Sequence, residues 1–321
     1  MVAKIVVTQP VHAEQLQRLR DAGHEVVALD SPRGLSPEEL VDAAADADAL
    51  LSQLTDKLTG DVFARTRLTI VATIATGFDN IDVAAANTAK TIVTRTPDVL
   101  TDATADLAMT LMLSVARQIP RSDADTRAHG TGPFQLLREP MGIDISGATL
   151  GIVGLGRIGE ALAHRAHFGF GMTIRYTARS SHPAAEERFG ASRLPLGQLL
   201  AESDVVSLHA PLNDETRHLI NRETLKLMKP TAILINTGRG PLVNEKDLAE
   251  ALRSGEIAGA GLDVFENEPD VHPDLLAVGH RTVLTPHIGS ATAKTRLAMT
   301  SLAVDNILAV LAGDPPLTPV G

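Results

Sequence analysis

Cysteine is absent from this 321-residue sequence, which excludes disulfides, a thiolate nucleophile and any cysteine-ligated metal or iron–sulfur centre. Tryptophan is absent too, and the 2% aromatic content argues against the stacking platforms that bind single-stranded nucleic acid. Positive charge is also scarce, because 39 acidic residues outnumber 29 Lys and Arg and leave a net charge of −10. With no cluster of basic residues, we expect no nucleic-acid partner.

Long apolar runs are missing as well. The apolar helical stretch at residues 107–116 is interrupted by Thr and Ser, and it falls short of the roughly 20 residues that span a bilayer. The opening MVAKIVVTQPV has a single Lys and too brief an apolar run for a signal peptide. We therefore expect a cytoplasmic protein with no membrane partner. The 44% apolar content and the length suit a globular chain of two domains.

Strand-like and helix-like segments alternate twice along the chain. The first series of strands is KIVVT, HEVVAL, ALLS, RLTIVATIA and TIVTRT, and the second is TLGIVG, MTIRYTA, SDVVSLHA, AILINTGRG, IAGAGLDVF and TVLTPHIG. Strands separated by helices predict parallel sheets with right-handed crossovers. Between the series, the pattern TDATADLAMTLMLSVARQIP predicts one helix that ends at Pro120.

A last helix, near residues 293–312, follows the second series without any further strand. It is therefore free to return to the first unit. The sequence predicts an α/β protein of two doubly wound, Rossmann-like units, the second inserted into the first. We place the first unit at residues 1–100 and 288–321 and the second at residues 101–287.

Residues 150–165, LGIVGLGRIGEALAHR, carry Gly154, Gly156 and Gly159 as G-x-G-x-x-G between an apolar strand and a helix. In a dinucleotide fingerprint the first glycine makes the tight turn, and the second lets the backbone approach a pyrophosphate. The third lets helix and strand pack closely, and the helix N-terminus faces the anion. Three glycines alone could mark a plain turn into a helix, but the strand–turn–helix context favours dinucleotide binding.

The strand after the fingerprint ends without an acidic residue. Ala178 stands about 20 residues beyond the fingerprint, where an Asp or Glu would hold the ribose hydroxyls of NAD, and Arg179 and Ser180 follow it. An acid would repel a 2′-phosphate, whereas arginine and serine offer it charge and hydrogen-bond donors. The sequence predicts NADP(H) as the preferred cofactor, with NAD(H) possible. The alternative is that Arg179 is a solvated loop residue and the site is indifferent to the phosphate.

Three polar residues follow strands of the second series: Arg239 in INTGRG, Glu268 in DVFENEP and His287 in LTPHIGSAT. Ligands of open α/β sheets bind beyond the carboxyl ends of the strands, so these side chains are candidates to converge at one site. Each also has an ordinary structural interpretation, as a surface ion-pair partner, a solvated carboxylate and a satisfied core histidine.

Six ordered blocks together carry a family resemblance: TPDVLTDATADLAMTL, GIVGLGRIGEALAHRA, SLHAPLNDETRHLIN, INTGRGPLVNEKDLAEAL, AGAGLDVFENEP and TPHIGSAT. In order and spacing they resemble the D-isomer-specific 2-hydroxyacid dehydrogenase family over nearly the whole chain, most of all its glyoxylate and hydroxypyruvate reductases. The resemblance implies NAD(P)H-dependent reduction of a small 2-oxoacid to the D-2-hydroxy acid. It also implies a homodimer, a nucleotide-binding domain at residues 101–287 and a substrate-binding domain made of both termini.

The catalytic roles follow from that resemblance. Arg239 matches the arginine that holds the substrate carboxylate and carbonyl oxygen, for which its planar fork is suited. His287 matches the acid–base histidine, and Glu268 matches the carboxylate that orients it and favours the imidazolium form. The residues that the resemblance places against the substrate are Leu54, Thr76, Gly77 and Ser290.

The resemblance implies the cofactor contacts in the same way, and we expect no metal site. Thr104 matches a residue near the nicotinamide and phosphates, residues 209–211 border the adenosine, and Thr237 and Asp263 meet the carboxamide side. The full set expected at the cofactor is Thr104, Gly154, Gly156, Arg157, Ile158, Gly159, Ala178, Arg179, Ser180, His209, Ala210, Pro211, Thr216, Thr237, Gly238, Asp263 and Gly289.

Two departures from the family leave alternatives open. Many members carry a Trp after the long helix, where this chain has AHGTGPF, so the substrate side chain is undetermined. Arg296 could line the site and favour a second anionic group. Phosphite-oxidising relatives share the GFDN loop but carry a Lys where Thr76 stands here, which argues against phosphite as the substrate. A phosphite or phosphonate dehydrogenase on the same scaffold is nevertheless the alternative enzyme. A dinucleotide-sensing corepressor is the alternative outside enzymes, and such proteins usually carry longer terminal segments than the short tail here.

Overall fold

The computed structural model describes residues 2–31, 33–137, 139 and 141–320. Two compact units make up the chain. The terminal unit consists of Met1–Leu100 and Ala291–Gly321, and the inserted unit is Thr101–Ser290. The second boundary lies after Ser290, rather than after His287 as the sequence predicts.

The terminal unit is built on a five-stranded sheet in the order β2-β1-β3-β4-β5, in which every strand pair is parallel. Its strands are β1 (Lys4–Val7), β2 (Glu25–Ala28), β3 (Ala49–Ser52), β4 (Ile70–Thr73) and β5 (Ile92–Thr94). The helices between them are α1 (Ala13–Asp21), α2 (Pro37–Ala44), α3 (Gly60–Arg65) and α4 (Val83–Thr88). All four residues of β3 and of β4 are buried, as expected for central parallel strands covered on both faces.

The inserted unit contains a seven-stranded parallel sheet in the order β12-β11-β10-β9-β6-β7-β8. Its strands are β6 (Thr149–Val153), β7 (Thr173–Thr177), β8 (Ser192–Arg193), β9 (Val205–Leu208), β10 (Ile233–Asn236), β11 (Gly259–Leu262) and β12 (Thr282–Leu284). From β6 the chain adds β7 and β8 on one side, and then β9 to β12 on the other side. The strand order therefore reverses between the neighbouring strands β6 and β9. In open α/β sheets this switch point is where ligands bind, beyond the carboxyl ends of the strands.

Eight helices accompany that sheet in the described part of the inserted unit. They are α5 (Thr101–Ala116), α6 (Ile119–His129), α7 (Arg157–Phe170), α8 (Pro183–Phe189), α9 (Leu196–Glu202), α10 (Arg222–Leu225), α11 (Glu245–Ser254) and α12 (Pro273–Val278). The prediction of one helix ending at Pro120 is wrong. Helix α5 ends at Ala116, Gln118 adopts a left-handed φ of 48°, and Pro120 lies in the first turn of α6. Proline fits there because the first turn needs no backbone N–H donor.

The last helix, α13 (Ala293–Ala312), belongs to the terminal unit and packs on β3 and β4. Its buried residues include Ala303, Val304, Ile307 and Val310, which join the core around β1, β3 and β4. By length and composition α13 could also cross a bilayer, and 44% of the relevant window is buried within the protein. The burial identifies α13 as a core helix of this unit.

Candidate active site

The predicted site residues of the inserted unit lie just beyond the carboxyl ends of six parallel strands, which share one edge of the sheet. The fingerprint follows β6, the Ala178 segment follows β7 and residues 209–211 follow β9. Thr237, Gly238 and Arg239 follow β10, Asp263 and Glu268 follow β11, and His287 follows β12. One edge of the sheet therefore carries all three candidate catalytic residues and most of the cofactor set.

The three fingerprint glycines have different physical roles. Gly154 has a φ of +91°, and a Cβ there would lie 2.6 Å from the backbone nitrogen of Ala210. A Cβ on Gly159 would lie 2.5 Å from the carbonyl oxygen of Gly154. A Cβ on Gly156, by contrast, meets no protein atom within 4 Å. Gly154 and Gly159 are thus required by the fold, whereas the space at Gly156 is open to a ligand at the N-terminus of α7.

Helix α5 brings Thr104 to the same edge. The guanidinium of Arg165 on α7 ties the two helices together, since Nη2 donates to Asp102 Oδ1 at 2.9 Å and Nε donates to Asp106 Oδ1 at 2.6 Å. Thr104 is buried, and its Oγ1 would lie 3.5 Å from a Cβ on Gly289. Thr104 and Gly289, which are 185 positions apart (289 − 104), are therefore neighbours.

The turn that carries Arg239 is held by a buried amide. Asn236, the last residue of β10, donates from Nδ2 to the carbonyl of Arg239 at 2.8 Å and accepts from the N–H of Gly238 at 3.0 Å. Gly240 then packs against the next loop so closely that a Cβ would overlap the carbonyl group of Phe265. The Arg239 turn and the loop that leads to Glu268 are thereby fixed to each other.

A second contact, between Glu245 and Glu266, anchors the Glu268 loop, and no sequence motif predicts it. Glu245 at the start of α11 accepts from the N–H of Glu266 at 2.7 Å, while Glu266 accepts from the N–H of Glu245 at 2.9 Å. Glu266 also contacts Nε2 of His218. Burial raises the pKa of the Glu245 carboxyl, against the effect of its backbone hydrogen bonds. These reciprocal bonds need tertiary proximity, so no local motif announces them.

His287 and Glu268 form the central pair of the site. Nδ1 of His287 lies 2.8 Å from Oε2 of Glu268, and the side chains are 34% and 36% exposed, respectively. Burial would raise the pKa of Glu268, but the hydrogen bond from His287, the charge of that ring and the N–H of Phe265 outweigh it. The charge of Arg239 acts in the same direction, and the pKa of Glu268 is held below its ordinary value. The carboxylate therefore stays ionised beside the imidazole.

The turn at His287 is unusual because its φ is +53°, in the left-handed region that β-carbon-bearing residues seldom adopt. Asp263 holds it. Both carboxylate oxygens accept bonds from the turn, from Thr285 Oγ1 at 2.6 Å, the N–H of Ile288 at 2.8 Å and the N–H of Gly289 at 2.7 Å. Burial raises the pKa of Asp263, and these bonds oppose the rise. Asp263, predicted from the sequence only as a cofactor contact, therefore also positions the His287 turn.

The predicted cofactor residues that follow β9 make contacts with other residues of the protein. Half-buried His209 lies with Nε2 2.8 Å from Ser207 Oγ, and burial lowers its pKa to about 4. Thr216 donates from Oγ1 to the carbonyl of Pro211 at 2.7 Å and accepts from the N–H of Asn213, so its hydroxyl stabilises the turn. Ala210 lies against Gly154.

The remaining predicted residues lie elsewhere or at the boundary. In the terminal unit, Leu54 follows β3, Thr76 and Gly77 follow β4, and Arg296 is exposed near the start of α13. Thr76 donates from Oγ1 to the carbonyl of Thr96 at 3.0 Å. Ser290 is the last residue of the inserted unit. Their proposed contacts with substrate stay predictions.

Comparisons with known proteins agree on one family. The family model described as D-isomer specific 2-hydroxyacid dehydrogenase, NAD binding domain, matches residues 109–289. A glyoxylate reductase of Thermococcus onnurineus (strain NA1) is 44% identical over 322 residues, which cover 99% of this chain and 96% of that relative. A glyoxylate/hydroxypyruvate reductase B of Enterobacter sp. (strain 638) is 47% identical over 286 residues, 88% of each chain.

A solved structure shares the fold over its full length. The NADPH-dependent glyoxylate/hydroxypyruvate reductase from Sinorhizobium meliloti, in complex with NADP and malonate, superimposes with a TM-score of 0.86 at 34% identity. The match covers 100% of this chain and 97% of that one. Two nested α/β units, a fingerprint turn shaped by Gly154 and Gly159, and full-length matches lead to one conclusion. The chain belongs to the D-isomer specific 2-hydroxyacid dehydrogenase family.

Proposed function

We propose that this protein reduces a small 2-oxoacid, glyoxylate or hydroxypyruvate in the first instance, to the D-2-hydroxy acid with a nicotinamide dinucleotide. The observation that carries the proposal is the 2.8 Å bond between His287 Nδ1 and Glu268 Oε2, on the same sheet edge as Arg239. The names of the relatives, glyoxylate reductase and glyoxylate/hydroxypyruvate reductase, support the choice of substrates.

The histidine pair supplies the proton. Because Nδ1 is committed to Glu268, Nε2 is the ring atom that can donate to a substrate carbonyl oxygen. The ionised carboxylate holds the ring in place through Nδ1 for the transfer. Arg239 holds the substrate carboxylate with its planar fork and faces the charge that develops on the carbonyl oxygen. The carbonyl carbon accepts a hydride while its oxygen accepts the proton, so charge balances.

The residues present fit the dinucleotide that the family uses, which when bound supplies or accepts the hydride. Gly156 leaves open space beside the first N–H groups of the 14-residue helix α7, where a pyrophosphate would be held. Thr237 is buried at the same edge, and its Oγ1 has no hydrogen-bond partner among the described residues. That hydroxyl is suited to an amide of the cofactor.

A preference for NADP(H) is the finer part of the proposal. Ala178 replaces the acid that would repel a 2′-phosphate, and the side chains of Arg179 and Ser180 are exposed beyond the end of β7. The Sinorhizobium meliloti enzyme is NADPH-dependent and was solved with NADP, which supports the same preference here. One charge-assisted contact corresponds to roughly 10- to 150-fold selectivity.

The test is a comparison of initial rates with glyoxylate, hydroxypyruvate, larger 2-oxoacids and phosphite, each with NADPH and with NADH. We expect turnover of the small oxoacids, faster with NADPH, and a loss of at least about 100-fold in kcat for His287→Ala. Near-normal turnover by His287→Ala would remove the proton donor from the proposal. Phosphite oxidation without oxoacid reduction would favour the alternative enzyme, and tight nucleotide binding without turnover would favour a sensor.

We also infer a homodimer, formed by the segment after α6. Phe134, Leu136 and Leu137 are 91%, 80% and 81% exposed, which is unusual for large apolar side chains so close together. Helix α6 itself buries no residue. It carries both signs of charge, with pairs between Arg121 and Asp125 and between Arg127 and Asp123. A second copy related by a two-fold axis would meet the same patch with opposite charges available, so it is the partner that fits.

A further inference from the structure

Arg193 contacts the segment that follows β7. It lies in the two-residue strand β8, which pairs with Arg175 and Tyr176 of β7. Its guanidinium donates to the carbonyl oxygen of Ala178 from Nε at 3.0 Å and from Nη2 at 2.7 Å. Nη2 also donates to the carbonyl oxygen of Arg179 at 2.8 Å. One planar fork therefore binds two consecutive backbone carbonyls.

These contacts fix the direction of the neighbouring N–H groups. A trans peptide is planar, so the N–H of each residue points away from the carbonyl that precedes it. With the carbonyls of Ala178 and Arg179 turned to Arg193, the N–H groups of Arg179 and Ser180 point to the opposite side. Within the described ranges, neither N–H has a hydrogen-bond acceptor. Successive N–H groups aimed to one side form an anion-binding concavity.

We propose that Arg193 is a positioning residue for the 2′-phosphate of NADP(H). It binds the carbonyl side of the segment and thereby presents two backbone N–H groups, with the side chains of Arg179 and Ser180, to a phosphate monoester. The inference rests on the proposed NADP(H) preference, and it identifies Arg193 as the residue that shapes the phosphate-binding segment. Arg193 lies 15 positions beyond Ala178 and outside the fingerprint, which is why sequence reasoning did not reach it.

Binding of adenosine 2′,5′-bisphosphate and of 5′-AMP, measured by calorimetry on the full chain, tests the role without any turnover. We expect Arg193→Met to weaken binding of the bisphosphate about tenfold and to leave 5′-AMP within about twofold. Arg193→Lys should lose most of the same preference, because its three donors share one nitrogen on a flexible stem and cannot reproduce the planar Nε and Nη2 fork. Thermal unfolding of each variant confirms that it is folded.

Arg188→Met is the matched control, since Arg188 is an exposed arginine of the neighbouring helix α8 and its loss changes the net charge equally. It should leave both ligands unaffected. Equal weakening of the two ligands in Arg193→Met, full retention in Arg193→Lys or an equal effect of Arg188→Met would each overturn the positioning role. A wild-type protein that does not distinguish the two ligands would instead overturn the NADP(H) preference, and the inference with it.

Discussion

At the residue scale, the contact between His287 and Glu268 fixes the ring that donates the proton. Burial would raise the pKa of Glu268, but the hydrogen bond and the charge of His287 lower it, so the carboxylate stays ionised. The carboxylate holds Nδ1 of the ring, which leaves Nε2 to meet the substrate. The charge on Glu268 is therefore part of the catalytic geometry.

Glu268→Gln should lower kcat and leave the KM for glyoxylate little changed. The amide keeps the size of the side chain but loses the charge, so the ring of His287 loses the charge-assisted hydrogen bond that orients it. We expect kcat to fall about 10- to 100-fold at neutral pH. The measurement is the initial rate over a range of glyoxylate concentrations with saturating NADPH. A kcat equal to that of the wild type would show that the pair is structural only.

His209 supplies a pH-dependent stability effect. Its pKa falls from 6.5 to about 4 in the folded chain because burial disfavours the charged ring. A depressed pKa means that the unfolded chain takes up the proton first, so stability is complete above pH 6.5. The free energy of unfolding then decreases by about 2 kcal/mol as the pH falls from 6.5 toward 4. This value is smaller than the full pKa shift implies, because His209 is only half-buried and solvent weakens the effect.

His209→Gln should thus reduce the decline of unfolding free energy between pH 6.5 and 4, measured by denaturant titration without cofactor. Other acidic groups titrate in that window, so the difference from wild type is the relevant quantity. His129→Gln, which alters an exposed histidine at the end of α6, is the control and should follow wild type. Identical slopes for wild type and His209→Gln would contradict the assignment.

Residue-level prediction from the sequence succeeded where a role depends on a local pattern. Gly154, Gly156 and Gly159 are recognisable because strand, turn and helix are contiguous. Asp263 and Glu245 were not recognised as anchors of the Glu268 and His287 loops, because their partners are 21 to 26 positions away. Such contacts form only after the parallel strands have brought separate loops together at the carboxyl edge of the sheet.

At the element scale, the junction of β6 and α7 contains one glycine that the fold requires, Gly159, and one that ligand binding requires, Gly156. Gly159 is in contact with the Gly154 carbonyl, so Gly159→Ala should destabilise the fold by about 1–3 kcal/mol. Gly156 is the N-cap of α7 and faces open space, so Gly156→Ala should cost only about 0.5–1 kcal/mol of stability and yet weaken dinucleotide binding at least tenfold.

The two alanine variants are each other's control, since both add one methyl group within the same turn. Denaturant unfolding gives the stability, and titration with NADPH gives the affinity. Normal NADPH affinity in Gly156→Ala would show that the pyrophosphate lies elsewhere. Full stability in Gly159→Ala would show that the helix can shift to accept the methyl.

Elements with strong apolar periodicity were predictable, and those defined by tertiary pairing were not. The core strands and α13 fall within their predicted segments. Strand β8 escaped notice because two residues, Ser192 and Arg193, carry no periodicity and owe their conformation to β7. Helix α6 escaped because its residues are polar and none is buried, so it lacks an amphipathic pattern.

At the scale of the whole molecule, the exposed apolar segment predicts the oligomeric state. The triple substitution Phe134→Asp, Leu136→Asp and Leu137→Asp should convert a dimer into a folded chain of 33.9 kDa, because charge cannot be buried in the contact. Light scattering after size exclusion measures the mass. Phe168→Asp, which changes another exposed phenylalanine on α7, should stay dimeric. A wild-type protein of single-chain mass would overturn the proposal.

The fold class could be predicted from the sequence, but the order of the strands within each sheet could not. Alternating strands and helices imply doubly wound parallel sheets, and both sheets are parallel throughout. Which strand lies beside which depends on crossover geometry that no single motif encodes. The exception is the fingerprint, because its strand must lie at the switch point for the helix N-terminus to face a ligand.

The insertion has a consequence for synthesis on the ribosome. Helix α13 covers a face of β3 and β4 that includes Ala49, Leu51 and Ile70, but it is translated only after the 190 residues of Thr101–Ser290. At ordinary elongation rates of roughly 5–20 residues per second, that apolar face waits about 10–40 s for its cover. During this interval all five strands of the nascent terminal unit have been made, but the face that α13 covers is exposed. A chaperone that shields apolar surface can bind there.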